Sequence, residues 1–247
     1  MINVHVVPIS ENFRGRSYGE WASEWWNWVL SEQPDEYVAD APIIFLRGNN
    51  DYDYVTENHI RVNTTSHLDM TKHAICIYED TAIFFPVIEA ELNEGDPSPK
   101  DPKRILTEVS EMRQYVRKDI EGCGPVAATI RHGDELPQRI VNNLLDFRAE
   151  SPAFDLVVPA KSFLKDRMEW VFKPGVFRAV TDGYWILIRS LPASDIKYQI
   201  HFEANAPGTY YSATYDILVK CRGKSINEDR TANLLNGFSV SKSGQES

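Results

Sequence analysis

Between Tyr18 and Val29 the apolar residues recur at helical spacing, with Tyr18, Trp21, Trp25, Trp28 and Val29 on one face. Ser17 is followed three residues later by Glu20, which fits a capping box: each side chain satisfies a free backbone donor of the first turn. The pattern predicts a helix over about 18–32, closed by the loop Pro34-Asp35-Glu36. Such a face is too apolar to leave in water and must lie against something large, most simply a sheet. This fixes packing and no chemistry.

Most of the remaining pattern has the period of strands. Residues 1–8 read as a short strand, and Pro42 precedes the buried run Ile43-Ile44-Phe45-Leu46. Residues 48–58 are turn-rich and read as an exposed loop. Strands are predicted at 74–78 and 82–88, and Pro86 implies an edge position or a bulge in the second. Further strands cover 126–131 and 154–158, the latter bracketed by Pro152 and Pro159. Asp182-Gly183 reads as a hairpin turn between strands at 177–181 and 184–188. Strands at 196–204 and 210–219 complete the set.

A second helix is predicted over about 102–121, with Asp101 as cap, Pro102 in the first turn and Gly122 past the end. Ile105, Val109, Met112, Val116 and Ile120 would form its buried stripe. Strands without regular alternation with helices imply a mainly β fold. The expectation is an antiparallel β-sandwich, jelly-roll-like, with two α-helical insertions packed on it. Residues 1–238 form a single domain and 239–247 a polar C-terminal tail.

The order of motifs resembles a family of bacterial and phage-encoded proteins with no established activity. The matching stretches are Tyr18-Gly19-Glu20-Trp21 with Trp25, Trp26 and Trp28, then Ile44 to Gly48, then Phe84-Phe85-Pro86 with Glu89. Ser151-Pro152-Ala153-Phe154 and Asp182-Gly183-Tyr184-Trp185 follow in the same order. Secreted bacterial members carry a leader peptide and often a cysteine near Cys76 with a partner upstream. This chain has no cysteine upstream of Cys76.

Composition narrows the function classes. In 247 residues, 43% are hydrophobic, enough for a core and against global disorder. The net charge of −10, with no basic stripe, argues against nucleic-acid phosphate and anionic lipid as partners. Residues 1–8 lack a basic region, a long apolar region and a cleavage site, so no signal peptide is expected; no run approaches transmembrane length. Cys76, Cys123 and Cys221 are odd in number and lack metal-type spacing. One disulfide among them stays open, and three buried thiols are the expectation.

Candidate chemistry is sparse. His67, Asp69 and His73 offer two imidazoles and a carboxylate, without a known zinc spacing. Glu89, Glu91, Glu94 and Asp96 surround Gly95, a set of oxygen ligands for calcium that does not reproduce an EF-hand. Glu89 and Glu91 would share one strand face, where one pKa could rise for acid–base work. Tyr52, Tyr54, Tyr210, Tyr211 and Tyr184-Trp185 are candidates for a sugar-stacking platform. Core packing and solvated loops are the default account of each.

No catalytic, cofactor-binding or metal residue is therefore assigned. The expected function is that of a non-catalytic structural or assembly protein, such as a capsid-decorating or tail-associated phage virion subunit. Its partners would be protein subunits, including copies of itself. The alternatives are a glycan- or surface-ligand-binding module and a metal-dependent hydrolase, with the cytoplasm as alternative location.

Overall fold

A computed structural model describes residue 2 and residues 4–31, 41–47, 52–56, 59–64, 74–160, 174–207 and 209–222, with 52–56 and 59–64 described by backbone path alone. In chain order, strand β1 (His5–Val6) and helix α1 (Tyr18–Val29) precede β2 (Ile43–Phe45), β3 (Tyr52–Thr56) and β4 (His59–Thr64). Then come β5 (Ile75–Tyr78), the long β6 (Ala82–Asn93), the small hairpin β7 (Pro97–Ser98) and β8 (Asp101–Ile105), and helix α2 (Val109–Glu121). The second half holds β9 (Val126–His132), β10 (Gln138–Arg139), a 3-10 turn (Leu144–Phe147), β11 (Arg148–Glu150) and β12 (Phe154–Val158). Three long strands close the described chain: β13 (Gly175–Ser190), β14 (Tyr198–Ala206) and β15 (Thr209–Lys220).

The 16-residue β13 is the spine of the first sheet. One of its edges pairs with β6. The other collects three short strands end to end, β12, β11 and β1. The second sheet runs β10-β9-β14-β15, with β4 and β5 both on the outer edge of β15 and β3 beyond β4. Both sheets are mixed rather than antiparallel throughout. The pairs β2·β6, β4·β15 and β5·β15 are parallel.

Alternation along β13 sorts the core into layers. Ala179, Trp185 and Leu187 face α1, packing with Trp21, Trp25, Trp26 and Phe84. Ile186 and Ile188 face the second sheet and pack with Ile130, Ile200, Phe202 and Ile217. At the far end of that same face, Val180 lies beneath Met112, Tyr115 and Val116 of α2. The first sheet is thus covered by α1 on one side, and by the second sheet and α2 on the other.

The capping box at Ser17 and Glu20 forms as expected, with the Glu20 carboxylate 2.7 Å from the Ser17 N–H. Several expectations need correction. The predicted second helix starts at Val109, not 102; residues 101–105 are β8, and Ile105, 49% exposed, leaves the stripe. Pro102 fits there because the edge of a two-stranded hairpin does not need its missing N–H. Asp182-Gly183 is no hairpin turn, because β13 runs straight through it. A Cβ on Gly183 would lie 2.6 Å from the Ile88 carbonyl and 2.9 Å from the Glu89 Cα, so this glycine permits close approach of β6. Residues 52–56, read as loop, form β3. None of the three cysteines is buried: Cys76 and Cys123 are half-buried, Cys221 is exposed, and none of them forms a disulfide with another. The polar tail at 239–247 lies outside the described residues.

Candidate functional site

The acidic stretch of β6 is the candidate site that geometry builds best. Pro86 and Val87 interrupt the ladder: Ile88 pairs with Tyr184, and Pro86 with Trp185. This is the bulge expected from Pro86, and the pairing of β6 with β2 stops at Phe84, two residues before it. Its consequence lies downstream. Ile83, Phe85 and Val87 face the core between the sheets, and unbroken alternation would send Glu89 and Glu91 there too. The bulge keeps Ile88 on that side instead and turns both acids to the α1 side.

Registers fix what surrounds them. Glu89 lies opposite Gly183, and Glu91 opposite Thr181. The Thr181 hydroxyl accepts from the Trp26 indole N–H at 3.1 Å and donates to the Ala90 carbonyl at 2.7 Å. Glu91 accepts from the Asn93 amide at 3.2 Å, and the Asp96 carboxylate accepts from the Asn93 backbone N–H at 2.9 Å. Glu89 and Glu91 keep some accessible area yet are densely surrounded. Burial pushes Glu89 up to about 8. It pushes Glu91 well above the usual carboxylate range, with the neighbouring Asp96 charge adding to the effect. Asp96 is raised as well, again chiefly by burial. Both carboxyls are thus biased toward their protonated forms by burial.

The other sequence candidates disperse. Among the described residues no three His, Cys, Asp or Glu side chains converge as a metal site, so the calcium grouping of Glu89, Glu91, Glu94 and Asp96 does not assemble. His67, Asp69 and His73 lie outside the described residues, as do the side chains of Tyr52 and Tyr54. Tyr210 and Tyr211 are consecutive on β15 and face opposite sides. Tyr211 packs toward the inter-sheet core, while the Tyr210 hydroxyl donates to Glu203. Trp185 is fully buried, stacked on Phe84 at 5.3 Å. Among the described side chains, Tyr210, Tyr211 and Trp185 do not share one face.

No protein-family model, curated protein or solved structure matches this chain. Its chemistry is therefore read from its own residues. No helix among the described residues is long and apolar enough to cross a membrane.

Sequence reasoning missed one polar centre. Asp182, fully buried, accepts from the Arg148 guanidinium at 2.6 Å, and Glu150 accepts from Arg113 at 3.0 Å and from Arg117 at 2.6 Å. Burial raises the Asp182 carboxyl and Arg148 opposes that rise, whereas hydrogen bonds from Arg117 and Arg113 hold Glu150 low. These pairs clamp α2 onto β11 and β13. The signal in the sequence was Asp182 between apolar neighbours of a long strand, concealed by its turn-like pairing with Gly183.

Proposed function

We propose that this chain is a non-catalytic β-sandwich subunit of a larger particle, of the capsid-decorating or tail-associated virion kind. The fate of the aromatic residues carries the reading. Tyr18, Trp21, Trp25, Trp26 and Trp185 all go to the interior. The indole N–H groups of Trp21 and Trp25 donate to the Phe13 and Leu46 carbonyls, and the Tyr18 hydroxyl donates to the Val7 carbonyl at 2.6 Å. These five large side chains thus brace the interior between helix and sheet. The shared core of the two mixed sheets supports a sandwich, and the resemblance to phage-encoded proteins supplies the virion setting.

The test is compositional. In particles purified from the native source, mass spectrometry should find the chain at fixed stoichiometry with other structural proteins. A chain that is monomeric and unaccompanied in that source overturns the reading.

One observation favours a second reading. Glu89 and Glu91 are two residues apart on one strand face, with Cα atoms about 7 Å apart by strand geometry. Carboxyls held at that spacing would fit the roughly 6.5–9.5 Å of inverting glycoside hydrolases. Glu89, pushed up to about 8, would be the acid. Hydrolysis of a glycan panel, abolished by Glu89→Gln, would establish it, and an inactive wild-type chain would remove it.

A further inference from the structure

One corner of the molecule concentrates arginine. Residues 13–16 form a tight turn, with Phe13 and Arg16 exchanging backbone hydrogen bonds of 2.9 and 3.1 Å. Arg14 sits in it at φ +52°, a backbone conformation that glycine and asparagine take more readily. The guanidinium of Arg14 lies 5.5 Å from the Phe13 ring centroid, and that of Arg189 lies 5.7 Å from the same ring. Arg16 stacks over Trp21 at 5.0 Å. Arg222 stacks over Tyr78 at 5.0 Å and pairs with Asp80, whose carboxyl Arg14 also influences. Glu24, Glu11 and Asp80 answer Arg16, Arg189 and Arg222. Among the described residues Arg14 has no carboxylate at ion-pair distance.

The same end carries the opposite chemistry. β9 and β10 are joined by an exposed turn, His132-Gly133-Asp134-Glu135-Leu136-Pro137, in which Leu136 is 90% exposed, more than any other large hydrophobic described. Ile196, 53% exposed, lies beside it, its methyl 2.8 Å from where a Cβ on Gly133 would stand. His132 aligns with Tyr198, and Tyr198 with Ile217; β15 then pairs with β5, which ends at Tyr78. The acidic, apolar turn and the arginine corner are therefore separated by three strand spacings at one end of the second sheet, about 15 Å.

An isologous contact requires both halves of the match on the same side of the molecule, and this end has them. We propose that it is the interface of a two-fold homodimer. Asp134 and Leu136 of each copy would seat on the Arg14, Phe13 and Arg222 corner of the other. The cationic corner of one copy complements the acidic turn of the other, and the exposed Leu136 matches the half-buried ring of Phe13. This inference rests on the assembly reading and names one of its contacts.

Sedimentation velocity on the full chain tests it. The expected result is a dimer at about 50 mM salt, with the dissociation constant rising about ten-fold or more at about 500 mM. Arg14→Glu, Asp134→Arg and Leu136→Ser should each weaken association about ten-fold. An equimolar mixture of the Arg14→Glu and Asp134→Arg chains should recover a mixed dimer. Arg14→Gly relieves the turn, so its chain should keep its fold while losing association. A chain monomeric at every salt concentration, or a dimer indifferent to these changes, overturns the proposal. If that monomer is nonetheless stoichiometric in native particles, the self-docking alone fails and the assembly reading stands.

Discussion

Glu89 couples the fold to pH. Its carboxyl, pushed up to about 8 by burial, keeps its proton in the folded chain where an unfolded chain has lost it. Its favourable contribution is fully present below the ordinary glutamate range near 4.5, and is lost as pH rises toward and through about 8. Glu91 and Asp96, both raised, act in the same direction. Glu89→Gln should therefore flatten the fall in stability between those limits and stabilise the chain by about 1–3 kcal/mol above pH 8. Chemical denaturation across that range measures it, and a variant with an unchanged pH profile would show that Glu89 is ionised throughout. The shared face of the acids was legible from their spacing. Which face it is was not, since it depends on a bulge whose phase only the register with β13 reveals.

The elements differ in how plainly the sequence announces them. α1 was readable because its cap and its aromatic stripe agree. The start of α2 was misread because Asp101-Pro102 mimics a helix opening, while the helix begins at Val109 with no side-chain cap from Glu108. What secures α2 comes instead from distant residues. Arg148→Ala leaves the fully buried Asp182 without its guanidinium and should cost about 3–5 kcal/mol in urea denaturation. Arg117→Ala removes a half-exposed partner of Glu150, which Arg113 still holds, and should cost less than about 1 kcal/mol. Equal losses for the two would show that burial of Asp182 does not set the scale.

At the level of the whole molecule, a mainly β fold with two helices was legible from local patterns, and the sheet order was not. The three parallel pairings join strands distant in sequence, as β4 and β5 do along β15, and no local rule specifies such neighbours. Likewise, Asp182-Gly183 carried a turn signal that only the long ladder with β6 overrules. A truncated chain of residues 1–174 should show no cooperative thermal transition, because β1, β6, β11 and β12 all need β13. A sharp transition in that fragment would contradict the sheet order described.

The position of β13 along the chain carries a consequence for synthesis. Every strand it gathers leaves the ribosome first, so the apolar rows of β6 and β12 and the indoles of α1 wait without their common support until residue 190 emerges. Maturation is then governed by a late keystone, and a nascent chain stalled short of it offers bare hydrophobic surface to chaperones or to aggregation.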